Sequence, residues 1–390
     1  MKNLIKKSCA AVLCGAMALT AAGCGNTTAN ALTIDGMDIR AGIYIYYQMD
    51  ALNEAATLLQ EEQPDLDMYA EGFEITDYSV ESTPVEEWIK NKTIEHCRNY
   101  VAVNKLFDEY GLSLTSKETA EINSYITSVW TEENSYAQYI YGVDVIGEYY
   151  ESLGIGEQSY KDVTTMTYKQ ETIFEHIYGE GGTQAVPADE VDMQVALNYA
   201  LVKSFEIDPN VNSPQDYLDM LNGGKSFAEV EQAYNMDDAV AGIEADMAAA
   251  EANGEEYTGT LPEEIEVPVS DEADLISVVS IEDQFPSIDY VNSVFAMANG
   301  ESKIVTSSNT STSSTTGEQV TDVNYYLVTR MDITADEATM NEYRSSALHK
   351  MKDEEFNTTL KTAADSYSVT ENAAAISKYT VDSLNDRTGA

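Results

Sequence analysis

Three histidines and four cysteines are the whole stock this 390-residue chain offers for metal binding or nucleophilic chemistry. His96, His176 and His349 fall on separate helical stretches, and none has a Cys, Asp or Glu at ligand spacing that compels a metal reading. Cys97 lies on the apolar side of its helix, where a thiol is buried and inert rather than nucleophilic. No G-x-S-x-G, H-E-x-x-H or G-x-x-x-x-G-K-[ST] pattern occurs. Acidic pairs such as Glu61-Glu62, Glu263-Glu264 and Asp271-Glu272 lack the alternating ligands and central Gly of an EF-hand loop, so they read as solvated faces. No metal and no cofactor is therefore expected. The side chain in excess is tyrosine, with 26 residues against 8 Phe. Tyr44, Tyr46 and Tyr47, then Tyr136, Tyr139 and Tyr141, then Tyr149 and Tyr150 form clusters. A broad apolar ring with a hydrogen-bonding tip suits a surface that holds extended polypeptide, and it equally suits a helix core.

Charge removes further classes. With 68 acidic and 21 basic residues the formal net charge is −47, which argues against a nucleic-acid partner and against a basic helix lying on anionic lipid. At 43% hydrophobic the chain can still bury one or two cores. Met1–Cys24 reads as an export signal: Lys2, Lys6 and Lys7 precede an apolar run from Ala10 to Ala22 that is too short to span a membrane. Its end, Leu19-Thr20-Ala21-Ala22-Gly23-Cys24, resembles a bacterial lipobox, which makes Cys24 the expected lipidation (palmitate-type) site. The alternative is an ordinary signal peptide cut after small residues. Cleavage before Cys24 removes Cys9 and Cys14; with Cys24 acylated, Cys97 alone remains and no disulfide framework is available.

The elements that would position any site follow from periodicity. A short strand, an Asp35-Gly36 turn and a second extended piece lead into a helical pattern over about 40–61. Thr83-Pro84-Val85-Glu86 and Thr115-Ser116-Lys117-Glu118 are helix starts, and further helices are expected over about 135–153 and 159–178. Gly179-Glu180-Gly181-Gly182 marks a boundary. Beyond it come a short helix from Pro187, a strand-like run over 195–207, two capped helices ending near Gly223 and Tyr234, and an acidic insertion over about 237–286. A helix from Ser287, strands over 302–306 and 323–330 with a mobile Ser/Thr-rich loop at 307–316, a long helix over 334–364 and a partly extended tail complete the chain.

This order, with four local patterns, resembles the PrsA/SurA-type extracytoplasmic foldases. Leu32–Ile39 is similar to the family's "V-x-V-N-G-x-x-I" opening, and Leu112–Glu118 to its "G-x-x-V-T-x-x-E" helix entry. Asn222–Val230 resembles the parvulin "G-x-x-F-A-x-L-A" segment, and Ser293–Glu301 its "A-x-F-x-L-x-x-G-E" helix end. The resemblance implies an α+β protein: a helical chaperone domain built from both chain ends, with an inserted parvulin-like α/β module. The expected limits are 1–23 signal peptide, 24–30 lipidated tether, 31–184 helical domain, 185–332 module, and 333–390 a C-terminal helix and tail packing back on the helical domain. Active parvulins usually carry His in "A-R-H-I-L" and "G-Y-H-I-I" contexts; here the patterns place Tyr199 and Tyr326 at those positions, with Phe227 and Phe295 as further groove candidates.

Prolyl isomerisation has a barrier of about 20 kcal/mol and needs no covalent chemistry, so a groove can act by positioning alone. A tyrosine can hydrogen-bond there but stays neutral where histidine would titrate. The resemblance thus implies a foldase on the extracytoplasmic face of a bacterial membrane, lipid-anchored, binding unfolded or newly exported polypeptides, with isomerase activity weak or lost. An active peptidyl-prolyl isomerase is the first alternative. A solute-binding lipoprotein is the second, although it would need two lobes of alternating βα units and the N-terminal half is too helical for that.

Overall fold

In the computed structural model, which describes residues 29–68, 70, 72–312 and 319–388, the chain opens with a hairpin of β1 (Asn30–Ile34) and β2 (Met37–Arg40). Ile34 stands opposite Met37, and Asp35 and Gly36 both take positive φ (46° and 83°), as a two-residue turn matched to strand twist requires. The leader and Cys24 lie outside the described residues. Helix α1 (Ala41–Glu62) follows β2 directly. A small pair, β3 (Ser79–Val80) and β4 (Thr83–Pro84), introduces α2 (Val85–Glu109). Helix α3 (Ser116–Thr131) opens with a full capping box, Thr115 accepting from the Glu118 amide and the Glu118 carboxylate accepting from Thr115.

The stretch expected as one helix over 135–153 is two, α4 (Ser135–Tyr141) and α5 (Ile146–Leu153). Gly142 takes a left-handed conformation (φ 66°) and ends the first. Helix α6 (Glu157–Tyr178) precedes the glycine-rich break.

After the break, α7 (Ala188–Asn198) delays strand β5 (Tyr199–Ile207), so 195–198 are helical rather than extended. Then come α8 (Pro214–Asn222) and α9 (Phe227–Asn253). The latter runs well past Tyr234: its second half is built of Ala, Glu, Met and Asp, good or tolerable helix formers, and Gly254 stops it with φ 72°. Past Val230 it buries no residue, so no apolar stripe announced it. Strand β6 (Ile276–Ser280) lies inside the supposed insertion, and α10 (Ile288–Ala296) follows.

Strands β7 (Ser302–Thr312) and β8 (Gln319–Arg330) extend through much of the stretch expected as a loop, pairing as far as Thr312 with Gln319. Thr is well suited to a pleated surface, and the Thr310 and Thr321 hydroxyls meet at 3.0 Å across the ladder. Residues 313–318 lie outside the described residues. Last come α11 (Glu337–Asp365), β9 (Val369–Glu371) and the short helices α12 (Ala373–Ile376) and α13 (Val381–Thr388).

The chain divides into two units: a helical one, up to Ala185 and again from Lys352, and a module, Val186–Met351. The division falls within α11 and not at 332. The first half of α11 belongs to the module because Arg344 pairs with Asp192 (2.6 Å), Lys350 with Glu282 (2.8 Å), and the Tyr343 ring packs on Tyr199. Both units together make an α+β protein.

In the helical unit β9 pairs antiparallel with β1, Ile34 opposite Val369 and Leu32 opposite Glu371, giving the order β2-β1-β9. Gln48 Nε2 donates to the Tyr379 carbonyl at 2.7 Å. Leu52, Leu59, Ile89, Ile126 and Leu153 form a core with Val381 and Leu384. A second cluster joins Leu32, Ile34 and Ile39 to Tyr44, Cys97 and Val101. In the module the antiparallel sheet runs β6-β5-β8-β7. Alternation sends Ala200, Val202, Val305 and Val328 to one face, against Tyr290, Val291 and Val294 of α10. It sends Ile207 and Leu327 to the other, against Tyr217 of α8 and Phe227 and Val230 of α9.

Candidate functional site

The four groove positions expected from sequence separate onto the two faces of the module's sheet. Tyr326, on β8, stands between Glu206 of β5 and Val305 of β7. Its ring meets Tyr290 edge-on at 5.0 Å and its hydroxyl donates to Glu206 Oε2 at 3.2 Å. Burial, with the Glu206 carboxylate adding to it, raises the phenol pKa, so the group is neutral. Phe295, on α10, packs against the same face, with the Arg330 guanidinium 5.7 Å from its ring. That guanidinium also donates to the carbonyls of Phe295 and Met297, both at 2.8 Å, and so satisfies the end of α10.

Tyr199 and Phe227 lie on the opposite face. Tyr199 begins β5, buried against the Tyr343 ring at 4.4 Å; Phe227 begins α9 and meets Phe205 at 5.4 Å. Because Tyr326 is in register with Glu206, seven residues along β5 from Tyr199, about 23 Å of strand separates the two tyrosines at ~3.3 Å per residue. The structure does not bring Tyr199 and Tyr326 together. Motif matching fixes neither register nor face along a nine-residue strand, where a slip of one residue turns every side chain over.

What the sequence reading missed is on the module's surface. Met193 and Leu197 lie one helical turn apart on α7, away from its buried Val191 and Val195. Ile281, Phe285 and Ile288 follow β6, and the Ile281 amide donates to the carbonyl of Asn198, next to Leu197, at 2.9 Å. These five large apolar side chains are between 48% and 82% exposed, Phe285 most of all. The signal was present in α7, whose apolar residues occupy two faces instead of one.

The histidines and the cysteine are dispersed. His96 stacks on Tyr47 (5.7 Å between ring centres) and lies 2.9 Å from Glu54 but off the hydrogen-bond direction; burial lowers its pKa despite that carboxylate. His176 leans on Tyr110 at 4.9 Å. His349 sits on α11. Cys97 is fully buried, and burial pushes its thiol pKa up. Among the described residues no three His, Cys, Asp or Glu side chains gather as metal ligands would, and no helix is long and apolar enough to cross a membrane. Of the clustered tyrosines, Tyr44 and Tyr149 are buried, Tyr46, Tyr47, Tyr141 and Tyr150 half-buried, and Tyr136 and Tyr139 exposed.

No protein-family model matches the chain, and neither does any curated protein. Among solved structures the chain is similar to the foldase protein PrsA of Lactococcus lactis, with 15% identity and a TM-score of 0.31 over 90% of this chain and 99% of that one. It is also similar to PrsA of Streptococcus pneumoniae, with 13% identity and a TM-score of 0.30 over 74% and 90%.

Proposed function

We propose that this chain is an extracytoplasmic chaperone of the foldase type, which holds exported, non-native polypeptides and is anchored to the bacterial cell membrane by a lipid on Cys24. The observation that carries the reading is the exposed apolar set Met193, Leu197, Ile281, Phe285 and Ile288. Exposed large apolar side chains scattered singly need no explanation, whereas a contiguous apolar patch marks an interaction site; the bond from the Ile281 amide to the Asn198 carbonyl brings the end of α7 beside the start of the 281–288 segment. Non-native segments offer the apolar surface such a site takes up. The leader and lipobox-like end of the sequence, and the β-α-α-β-α-β-β order of the module, support the same reading. The separation of Tyr199 from Tyr326 supports an isomerase activity that is weak or lost.

The test uses the chain from Gly25 onward with a client whose slow refolding phase is proline-limited. Near-equimolar protein is expected to suppress client aggregation without accelerating the slow phase at catalytic amounts. The double variant Phe285→Ser, Ile288→Ser is expected to keep its thermal unfolding within a few degrees and lose most of that suppression. Unchanged suppression in the variant removes this surface as the binding site, and acceleration at catalytic amounts favours the isomerase. Anchoring is read separately, as labelled fatty acid incorporated by the native chain and absent from Cys24→Ala.

A further inference from the structure

Among the helices of the helical unit lies a cavity of about 420 Å³, within the span of ~300–1,000 Å³ typical of small-ligand sites. Helix α1 lines it with Tyr46, Tyr47 and, one turn on, Asp50; α2 adds His96 and Tyr100, α3 adds Tyr125 and α6 adds Tyr160. The rings brace one another. Tyr46 meets Tyr160 at 5.9 Å and 72°, Tyr47 meets Tyr100 at 6.3 Å and 64°, and the Tyr125 and Tyr160 hydroxyls are 3.1 Å apart. Burial raises the pKa values of Tyr46, Tyr47, Tyr100 and Tyr160, so these phenols are neutral.

Asp50 is the unusual member. It lines the cavity, half-buried, and has no hydrogen bond or ion pair to any described residue. No Lys or Arg lines the cavity, and two cations close by, one on α2 and one at the start of α1, are engaged elsewhere. Lys92 sits 3.5 Å from Glu54 and 3.6 Å from Glu95, and Arg40 pairs with Asp162. A half-buried carboxylate without a counter-charge is costly, and aromatic faces present negative potential. The carboxylate disfavours anions and purely apolar ligands. A hard metal ion would need about six oxygen ligands, and one carboxylate among phenols is a poor substitute.

We propose that this cavity binds an organic cation, an ammonium or guanidinium group, with Asp50 as its counter-ion and the tyrosine rings as its walls. The cation could come from a Lys or Arg side chain of a polypeptide or from a free amine; both offer the same chemistry. The proposal concerns the helical unit alone and does not depend on the apolar surface of the module.

The test titrates the full chain with three probes while tyrosine fluorescence is followed: the peptide acetyl-Gly-Lys-Gly-amide, its Nε-acetyl-lysine counterpart, and cadaverine. Salt of about 0.3 M screens the general attraction of a highly negative protein for cations. Saturable binding of the lysine peptide is expected, with at least a tenfold loss on lysine acetylation and a similar loss in Asp50→Asn. Tyr125→Leu, at a half-exposed ring, is expected to lose severalfold. The acetylated peptide uses the unaltered protein, so that comparison holds whatever a variant does to folding. Tighter binding of the peptide than of cadaverine assigns the cation to a polypeptide, and the reverse assigns it to a free amine; either supports the proposal. Equal binding of the charged and acetylated peptides, unchanged binding in Asp50→Asn, or no saturable binding of either amine overturns it. Failure here with aggregation suppression intact would leave the chaperone reading standing.

Discussion

In the module, three tyrosine hydroxyls end on protein partners: Tyr217 donates to Asp237 at 2.9 Å, Tyr326 donates to Glu206, and Tyr234 accepts from the Asp208 amide at 3.1 Å. In the helical unit, Tyr46, Tyr47, Tyr100, Tyr125 and Tyr160 turn toward a shared cavity whose one carboxylate has no partner. The two arrangements follow from the elements beneath them. A sheet covered on both faces leaves rings little free space, whether they stand on a strand, as Tyr326 on β8, or on a covering helix, as Tyr217 on α8 and Tyr234 on α9, and each tip reaches a neighbour. A helix stripe gathers residues three and four apart, and several such stripes can enclose space that no side chain fills. The units also differ in continuity. The module is a single stretch of chain, whereas the helical unit needs both ends of the sequence.

The harshest way to break this comparison is to remove the C-terminal return. Deleting residues 366–390 takes away β9, the Gln48–Tyr379 bond and the buried Val381 and Leu384. The expected loss exceeds about 4 kcal/mol, the range reserved for gross core damage. Calorimetry should then show the helical unit's transition abolished while the module's persists. Loss of both transitions would end the idea that the module stands by itself.

A smaller effect of opposite sign tests the unpartnered carboxylate. Burial first, and then Glu54, raise the Asp50 pKa to about 6. Since the folded state holds that proton more tightly than the unfolded one, stability declines as pH rises from about 4 through 6, and the penalty is complete above that window. Asp50→Asn should therefore stabilise the helical unit at pH 7 by about 1–2 kcal/mol, after allowance for partial solvent contact, and by nothing below pH 4. Urea unfolding at the two pH values measures it. A pH-independent change would locate the effect elsewhere.

The mildest change sharpens the contrast from the module's side. Tyr217→Phe leaves Asp237 without that donor and should cost about 1 kcal/mol, read as a shift in the urea midpoint.

Local signals in the sequence led to correct elements: the Asp35-Gly36 hairpin and the Thr115–Glu118 capping box. Each is settled within a few residues, where side-chain and backbone chemistry decide. What escaped depends on distant partners. Strand β6 is defined by pairing with β5, Val279 opposite Ala200, across the whole of α8 and α9. The second half of α9 carries no apolar stripe to announce it. The cavity around Asp50 is made by four helices, and in sequence Asp50 is only one more acid on the polar side of α1. The fate of the Tyr199–Tyr326 pairing was set by register, which no short motif encodes.

The pairing of β1 with β9 also imposes a timetable. Whenever the chain is delivered N-terminus first, its opening strand waits, unpaired along one edge, until residues more than three hundred positions later arrive. An open strand edge is a template for foreign chains. The module, complete before then, can settle while that edge is still bare. The segment that carries β9 thus acts as a latch, and the interval before it closes is when this protein is most exposed to mispairing with other polypeptides or with copies of itself.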